Sequence, residues 1–283
     1  MTTLRLMSHN QWRCDNNQKA WEALGMNCSS AVREEGFARV YAETQPDIVG
    51  IQEISGKMTE DLMASLAARG LRYALLWGHD TPILYRPDKF ELVDSTFALY
   101  PLACPGEEGE FNNSSTKSRT VAVFREKDGG KLFVFTSTHL WWMSDDPAGK
   151  NYRRGSGAAR VYQIGLAMDD IDAMRAAYGN CPAILVGDMN TPFDSPVIRA
   201  AFARGYRHAH DLATDYADPS RGHHACGPNG FSTEEHPGGF VKSIDHILIA
   251  GAAALHVRRF ERYAPEYYMP LSDHAPVYID AEI

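Results

Sequence analysis

Apolar and polar positions along this chain repeat with two periods, one residue on and one off, or three and four apart. Leu4 to Asn10 alternates and predicts a first strand that closes on Ser8-His9-Asn10. Residues 13–30 are polar and irregular, which predicts a surface loop, and Val32 to Thr44 predicts a helix that Gln45-Pro46 stops. Asp47 to Glu53 is a short, largely apolar run with a polar end, the pattern of a buried strand, and residues 57–69 predict an amphipathic helix closed by Gly70. Strand-like runs follow at 72–77, Pro82 to Arg86, 90–100 and Thr120 to Phe124, the last two separated by a Pro- and Gly-containing loop over 101–117. Asp128-Gly129-Gly130 predicts a hairpin turn into the apolar strand Leu132 to Ser137, which ends in Thr138-His139. After a loop over 143–157, Val161, Ile164, Met168, Ile171, Met174 and Tyr178 recur at helical spacing.

The strand predicted over Pro182 to Val186 runs straight into Gly187-Asp188-Met189-Asn190-Thr191-Pro192. Side chains two apart on extended chain point the same way, so Asp188 and Asn190 are expected to face one ligand. Pro192 stops the strand, and Ser195 is placed to cap a helix near 195–204. A Gly/His-rich loop over about 215–240, strands over Ser243 to Ile249 and 253–261, a loop over 263–272 and a closing strand from Ala275 to Ile283 complete the pattern. Strand and helix alternate without a linker, a useful repeat or a low-complexity segment, which predicts one α/β domain over residues 1–283.

Composition narrows the function classes. The 44% hydrophobic and 23% charged content is that of an ordinary globular protein with a sizeable core. A net charge of −8 argues against tight non-specific binding to nucleic acid, which leaves a basic footprint. It leaves a nuclease open, because divalent cations neutralise an acidic site and a phosphate alike. No run approaches the roughly 18–20 apolar residues of a membrane span. The N-terminus enters a strand directly, so the chain reads as cytoplasmic, or as secreted or periplasmic if a signal peptide has been removed. Five cysteines have no zinc-type spacing; Cys14 and Cys28 could pair in an exported protein, and free thiols are the expectation.

Six strand ends carry polar groups where a buried strand would simply turn: Asn10, Glu53, His139, Asp188 with Asn190, Asp245, and Asp273-His274. Each alone is explained by a turn, a cap or a satisfied histidine. Together they supply the oxygen ligands that a hard ion such as Mg²⁺ takes, a base for water, and histidine donors held by carboxylates.

The ordered series Asn10, Gln52-Glu53, Thr138-His139-Leu140, Gly187-Asp188-Met189-Asn190, Ile244-Asp245-His246 and Ser272-Asp273-His274-Ala275-Pro276 resembles the endonuclease/exonuclease/phosphatase superfamily, from about residue 4 to 282. Ile83-Leu84-Tyr85-Arg86 also looks like the family's central strand. The resemblance implies a DNase I-like four-layer α/β/β/α sandwich of two mixed β-sheets with helices outside. It implies a Mg²⁺-dependent phosphoester hydrolase, Mn²⁺ substituting, in which activated water attacks in line at phosphorus. Carried onto this chain, Glu53 is the principal metal ligand, with Asn10 and Asp273 completing the metal side. Asp188 orients or deprotonates the water, Asn190 donates to the scissile phosphate, and His274, held by Asp245, binds and protonates the phosphate region. His139 matches a second phosphate-contacting histidine of the deoxyribonuclease and phosphatase branches, where some repair enzymes have tyrosine. His246 departs from the family's common aromatic residue, a change expected to matter only for packing.

The substrate is less legible. Trp141 and Trp142 follow His139 and are candidates for the rim, where an aromatic ring stacks a base or a sugar. Lys117, with Ser118 and Arg119, and Arg153, with Arg154, are candidates for a second phosphate or a charged head group. His208, His210, His223, His224 and His236 lack zinc spacing and are expected at the rim or surface. The favoured partner is a phosphoester of a small or soluble substrate, as a phosphodiester or phosphomonoester. A nuclease is the alternative, followed by a sphingomyelinase-like lipid hydrolase and by a non-catalytic binding module. Sequence does not set the oligomeric state.

Overall fold

The computed structural model describes residues 2–14, 25, 27–216, 243–268 and 270–283. The strands in chain order are β1 (Thr3–Asn10), β2 (Ile48–Gln52), β3 (Ala74–Leu76), β4 (Ile83–Tyr85), β5 (Phe90–Leu99), β6 (Ser118–Glu126) and β7 (Leu132–His139). They continue as β8 (Ala183–Asp188), β9 (Arg207–His208), β10 (Asp215–Tyr216), β11 (Asp245–Ala250), β12 (His256–Arg262) and β13 (Val277–Glu282). The helices are α1 (Ser30–Thr44), α2 (Gly56–Ala68), α3 (Ser156–Ala177), α4 (Pro196–Ala203) and the single turn α5 (Ala209–Leu212).

Among the described residues the strands form two sheets, ordered β10-β12-β13-β1-β2-β4-β3 and β5-β6-β7-β8-β11-β9. Both are mixed: β1 is antiparallel to β13 and parallel to β2, and β7 is antiparallel to β6 and parallel to β8. Strand alternation decides what lies between the layers. Leu4 and Leu6 of β1, Phe133 and Phe135 of β7, Ile184 and Val186 of β8, and Ile247 and Ile249 of β11 meet in the core between the sheets. The intervening residues point outward. Met7 and Val49 pack under Phe37 and Tyr41 of α1 and Met58 and Leu62 of α2. Val134, Leu185 and Leu248 pack under Ile164, Met168 and Ile171 of α3 and Ile198 of α4. The result is the four-layer α/β/β/α sandwich.

Helix ends follow their local chemistry. Gln45 closes α1 in the left-handed region, and Ser55 caps α2 by accepting from the Met58 amide. Ser195 caps α4 by accepting from the Ile198 amide, with Pro196 at the first helical position. The pairing corrects two expectations. β4 lies next to the sheet edge, between β2 and β3, rather than at the centre. The stretch just before residue 217 contains β9, α5 and β10, two-residue strands that exist only because β11 and β12 pair with them. Most of the polar loop expected over 13–30 and of the Gly/His-rich loop over 215–240, with His223, His224, His236 and Cys226, lies outside the described residues. Cys28, Cys104 and Cys181 are free thiols. Among the described residues no helix is long and apolar enough to cross a membrane.

Candidate active site

The site is made by strand ends that register brings together. In the first sheet Asn10 pairs with Gln52, so Asn10 and Glu53 emerge side by side where β1 and β2 stop. In the second sheet His139 pairs with Asp188, and Asp188 pairs on its other side with Asp245. The loop carrying Ser272, Asp273 and His274 returns against β1, fixed where the Ser272 hydroxyl donates to the Asn10 carbonyl at 2.9 Å. These ends open into one cavity of about 810 Å³, lined by Glu53, Asp188, His139, His274, Asp273 and Lys117 among others.

Two carboxylate-held histidines flank Asp188. His274 gives Nδ1–H to Asp245 Oδ2 at 2.7 Å, and its Nε2 lies 3.9 Å from Asp188 Oδ2. Burial opposes charge on His274, yet the carboxylates of Asp245, Asp273 and Asp188 hold its pKa well above the usual imidazole range. It is therefore an imidazolium at neutral pH. His139 gives Nδ1–H to Asp80 Oδ2 at 2.8 Å, and its Nε2 lies 3.5 Å from Asp188 Oδ2. With Nδ1–H committed to Asp80, Nε2 of His139 faces the Lys117 ammonium, 2.5 Å away. Burial works against the Asp80 carboxylate, but its bond to His139 and the charges of His139, Lys117 and Arg13 outweigh burial and lower its pKa. Asp80 was not among the expected site residues. It precedes an apolar strand rather than ending one, so inspection of strand ends does not reach it.

The acidic wall fits a divalent cation. Glu53, His139 and Asp188 each offer a ligand atom, all within 4.8 Å of one another. Asp273 Oδ1 is buried and accepts no hydrogen bond. Burial, reinforced by the charges of Glu53 and Asp188, pushes the Asp273 carboxyl up to about 7, the signature of crowded negative charge that a cation relieves. Asn10 donates Nδ2–H to Asp188 at 3.0 Å and to Glu53 at 3.3 Å, while its Oδ1 accepts from the Trp12 amide. Its side chain spaces the two carboxylates, with the oxygen engaged by backbone.

Backbone strain gathers around this cavity. Trp12, Glu53, His79 and Asn190 all have positive φ between 49° and 57°. Asn190 corrects the expectation that it faces a ligand by strand alternation. The strand has ended at Asp188, and the left-handed turn lets the Asn190 amide donate to Asp188 Oδ1 at 2.8 Å. Asn190 still borders the cavity, with Nδ2 donating to the Leu140 carbonyl.

The expected substrate contacts divide. Lys117 and Trp142 line the cavity. Trp141 does not: it is fully buried, and its indole donates to Ser156 Oγ at 3.1 Å. Arg153 is also away from the lining, its guanidinium 5.0 Å from the Phe111 ring centroid and 5.8 Å from that of Trp141. Arg119 is paired with Asp170. His208 and His210, expected at the rim, are buried. His246 gives Nε2–H to the Thr191 carbonyl at 2.7 Å, and His208 Nε2–H in turn donates to His246 Nδ1 at 3.1 Å. His246 thus ties down the segment after Asp188 in addition to packing.

A family model for the Endonuclease/Exonuclease/phosphatase family matches residues 21–274. Among solved structures, an endonuclease/exonuclease/phosphatase from Bacteroides vulgatus is similar at 22% identity and a TM-score of 0.74, covering 100% of both chains. The mannosyl-6-phosphatase of Bacteroides thetaiotaomicron is similar at 22% identity and a TM-score of 0.70, covering 99% of this chain and 100% of that one. D. rerio TDP2, complexed with single-strand DNA product, is similar at 15% identity and a TM-score of 0.67, covering 100% of both chains. No curated protein matches the chain.

Proposed function

Because the chain belongs to the endonuclease/exonuclease/phosphatase family, whose members hydrolyse phosphoester bonds, we propose that it is a Mg²⁺-dependent phosphoester hydrolase of small or soluble substrates. Mn²⁺ is expected to substitute. The observation that carries this reading is the position of Asp188, between two carboxylate-held histidines and beside Glu53 and Asp273 in one cavity. Glu53, Asp188 and Asp273 would hold the cation, with Asn10 spacing the first two. The bound ion would supply charge neutralisation at the phosphate and at the departing oxygen.

The chain's own groups account for the proton movements. Asp188 accepts a proton from the attacking water as its oxygen bonds to phosphorus. The ester P–O bond breaks in line, and the departing oxygen takes up the second proton. The His274 imidazolium, fixed by Asp245, turns Nε2–H into the cavity, where it would meet the phosphate and donate that proton. His139, its tautomer set by Asp80, holds the Lys117 ammonium against the cavity, where it meets phosphate charge. Asn190 is held at the rim, its Nδ2 on the Leu140 carbonyl.

The test is a substrate panel with Mg²⁺, run with the wild type and Asp188→Ala. It contains a chromogenic phosphodiester, phosphomonoesters including sugar phosphates, nucleotides, inositol phosphates, sphingomyelin, RNA, and single- and double-stranded DNA. Small esters should be cleaved and Asp188→Ala should lose about 10³-fold or more in kcat/KM. EDTA should abolish turnover and Mg²⁺ or Mn²⁺ restore it. Turnover after exhaustive chelation would remove the metal from the scheme, and cleavage confined to DNA or RNA would replace the small substrate by a polymer.

A further inference from the structure

A second cavity of about 510 Å³ adjoins the catalytic one and shares Trp142, Asn190 and Ile244 with it. Its volume lies within the roughly 300–1,000 Å³ range of small-molecule sites. Beyond Trp142 its wall is a short loop carrying Ser144, Asp145, Lys150 and Asn151. The proposed chemistry uses none of these four side chains.

The loop is built rather than loose. The Ser144 amide donates to the Asn151 carbonyl at 2.9 Å, and the Arg153 amide donates to the Ser144 carbonyl at 2.8 Å. Ser144 and Tyr152 form a parallel β-bridge. From α3, buried Arg160 donates to the Met143 carbonyl at 2.6 Å and to Asp145 Oδ1 at 2.9 Å, fixing the near side of the loop to the helix. Trp142 itself is 43% exposed, although its neighbour Trp141 is fully buried. The two rings stand 6.2 Å apart, inclined at 52°, so the buried indole backs the exposed one. A large aromatic ring is thus held open at the junction of two cavities, three residues beyond His139.

We propose that this second cavity is the leaving-group subsite and that it takes a hydroxylated ring, the sugar of a sugar phosphate. The inference deepens the hydrolase reading and rests on it for the position of the phosphate. An aromatic face covers the C–H face of a sugar, and the remaining wall offers what hydroxyl groups need: donors at Lys150 and Asn151, acceptors at Asp145 and Asn151, and a hydroxyl at Ser144. A nucleobase would be better served by a second planar wall. The other apolar side chains that line this cavity are Met143, Pro192, Pro196 and Ile244, none of them aromatic.

The experiment pairs kinetics with binding. The wild type, Trp142→Ala, Trp142→Phe and Asn151→Ala are compared on hexose 6-phosphates, nucleoside 5′-monophosphates and methyl phosphate. The ratio of kcat/KM for hexose phosphate over methyl phosphate should fall about 10-fold or more in Trp142→Ala, mainly through KM, and recover largely in Trp142→Phe. Asn151→Ala should lower it by about 3-fold or more. In parallel, binding of glucose 6-phosphate to Asp188→Ala and to Asp188→Ala with Trp142→Ala is measured by calorimetry, with the second change weakening it about 10-fold. An unchanged ratio and equal binding overturn the subsite. Nucleotides preferred over hexose phosphates with the same Trp142 dependence overturn the sugar assignment. Trp142-dependent binding of glucose 6-phosphate without turnover of any ester would instead leave the subsite standing and overturn the hydrolase reading.

Discussion

Gly187 sets the distance between the strand ends that carry His139 and Asp188, and Gly187→Ala tests it. A Cβ at this position would lie 1.9 Å from the backbone carbonyl oxygen of Thr138, where such atoms need about 3 Å or more. The obstacle is main chain of a central strand, so no side-chain rotation relieves it. The residue also has φ of 155°, a region that side-chain-bearing residues rarely adopt. Thr138 pairs with Gly187 one step before His139 pairs with Asp188, so a methyl group here must push β7 and β8 apart at the site by about an ångström. Overpacking of this kind costs about 1–3 kcal/mol and the backbone strain about 1–3 more, so a destabilisation of about 2–6 kcal/mol is expected. For a chain of this length that lowers Tm by about 3–10 °C. A misplacement of about 1 Å between reacting groups should lower kcat by about 10²-fold. Thermal and urea denaturation followed by circular dichroism, with kcat on the best ester of the panel, measure both. Gly165→Ala is the control: this glycine lies in α3 with nothing within 4 Å of an added Cβ, and the change should stabilise by about 0.5–1 kcal/mol. A Gly187→Ala protein with wild-type kcat and a midpoint within about 2 °C of the wild type would refute the reasoning.

Other perturbations probe the supports of the site. Burial lowers the pKa of His246 from 6.5 to about 4, so it folds as neutral imidazole. Its contribution to stability is complete above pH 6.5 and is lost as pH falls toward 4; in urea titrations the wild type should lose about 3 kcal/mol by pH 4 relative to a His246→Phe variant. A parallel pH dependence in the two proteins would show that His246 does not fold neutral. Buried Arg33 of α1 donates to the Gln11 and Leu271 carbonyls, beside the segments that carry Asn10 and Asp273. Arg33→Met leaves those carbonyls unpaired and should cost about 2–5 kcal/mol and weaken Mg²⁺ dependence, read by urea denaturation and by the metal concentration for half-maximal turnover. An Arg33→Met protein as stable as the wild type would refute that role.

What the sequence made legible is local. Each of Asn10, Glu53, His139 and Asp188 ends or immediately follows a short apolar run, so strand pattern and chemistry point to the same residue. The three-dimensional partners of these residues are not local. Asp80 reaches His139 across 59 residues, and nothing around His79-Asp80-Thr81 marks it. Trp141 and Trp142 are indistinguishable in sequence; the chain leaves β7 in a direction that turns the first ring toward α3 and the second to solvent. His208 reads as a surface residue until β9 pairs with β11 and brings it against His246. Arg153, judged by charge alone, suits a phosphate, whereas two aromatic rings take its guanidinium.

The bond between Ser272 and Asn10 joins residues separated by 262 positions, and β1 pairs along its length with β13, the last strand. The acidic wall therefore has one half on the strand that opens the fold and the other on the loop before the strand that closes it. A growing chain that has already folded α1, β2 and the whole second sheet still lacks Asp273 and His274, and its Asn10 carbonyl has no hydroxyl to meet. Assembly of the cavity therefore depends on a distant segment: a fragment that stops before Ser272 would present Glu53 and Asp188, but not Asp273 and His274. Topology thus makes the closure of β1 onto β13 a precondition of the assembled cavity.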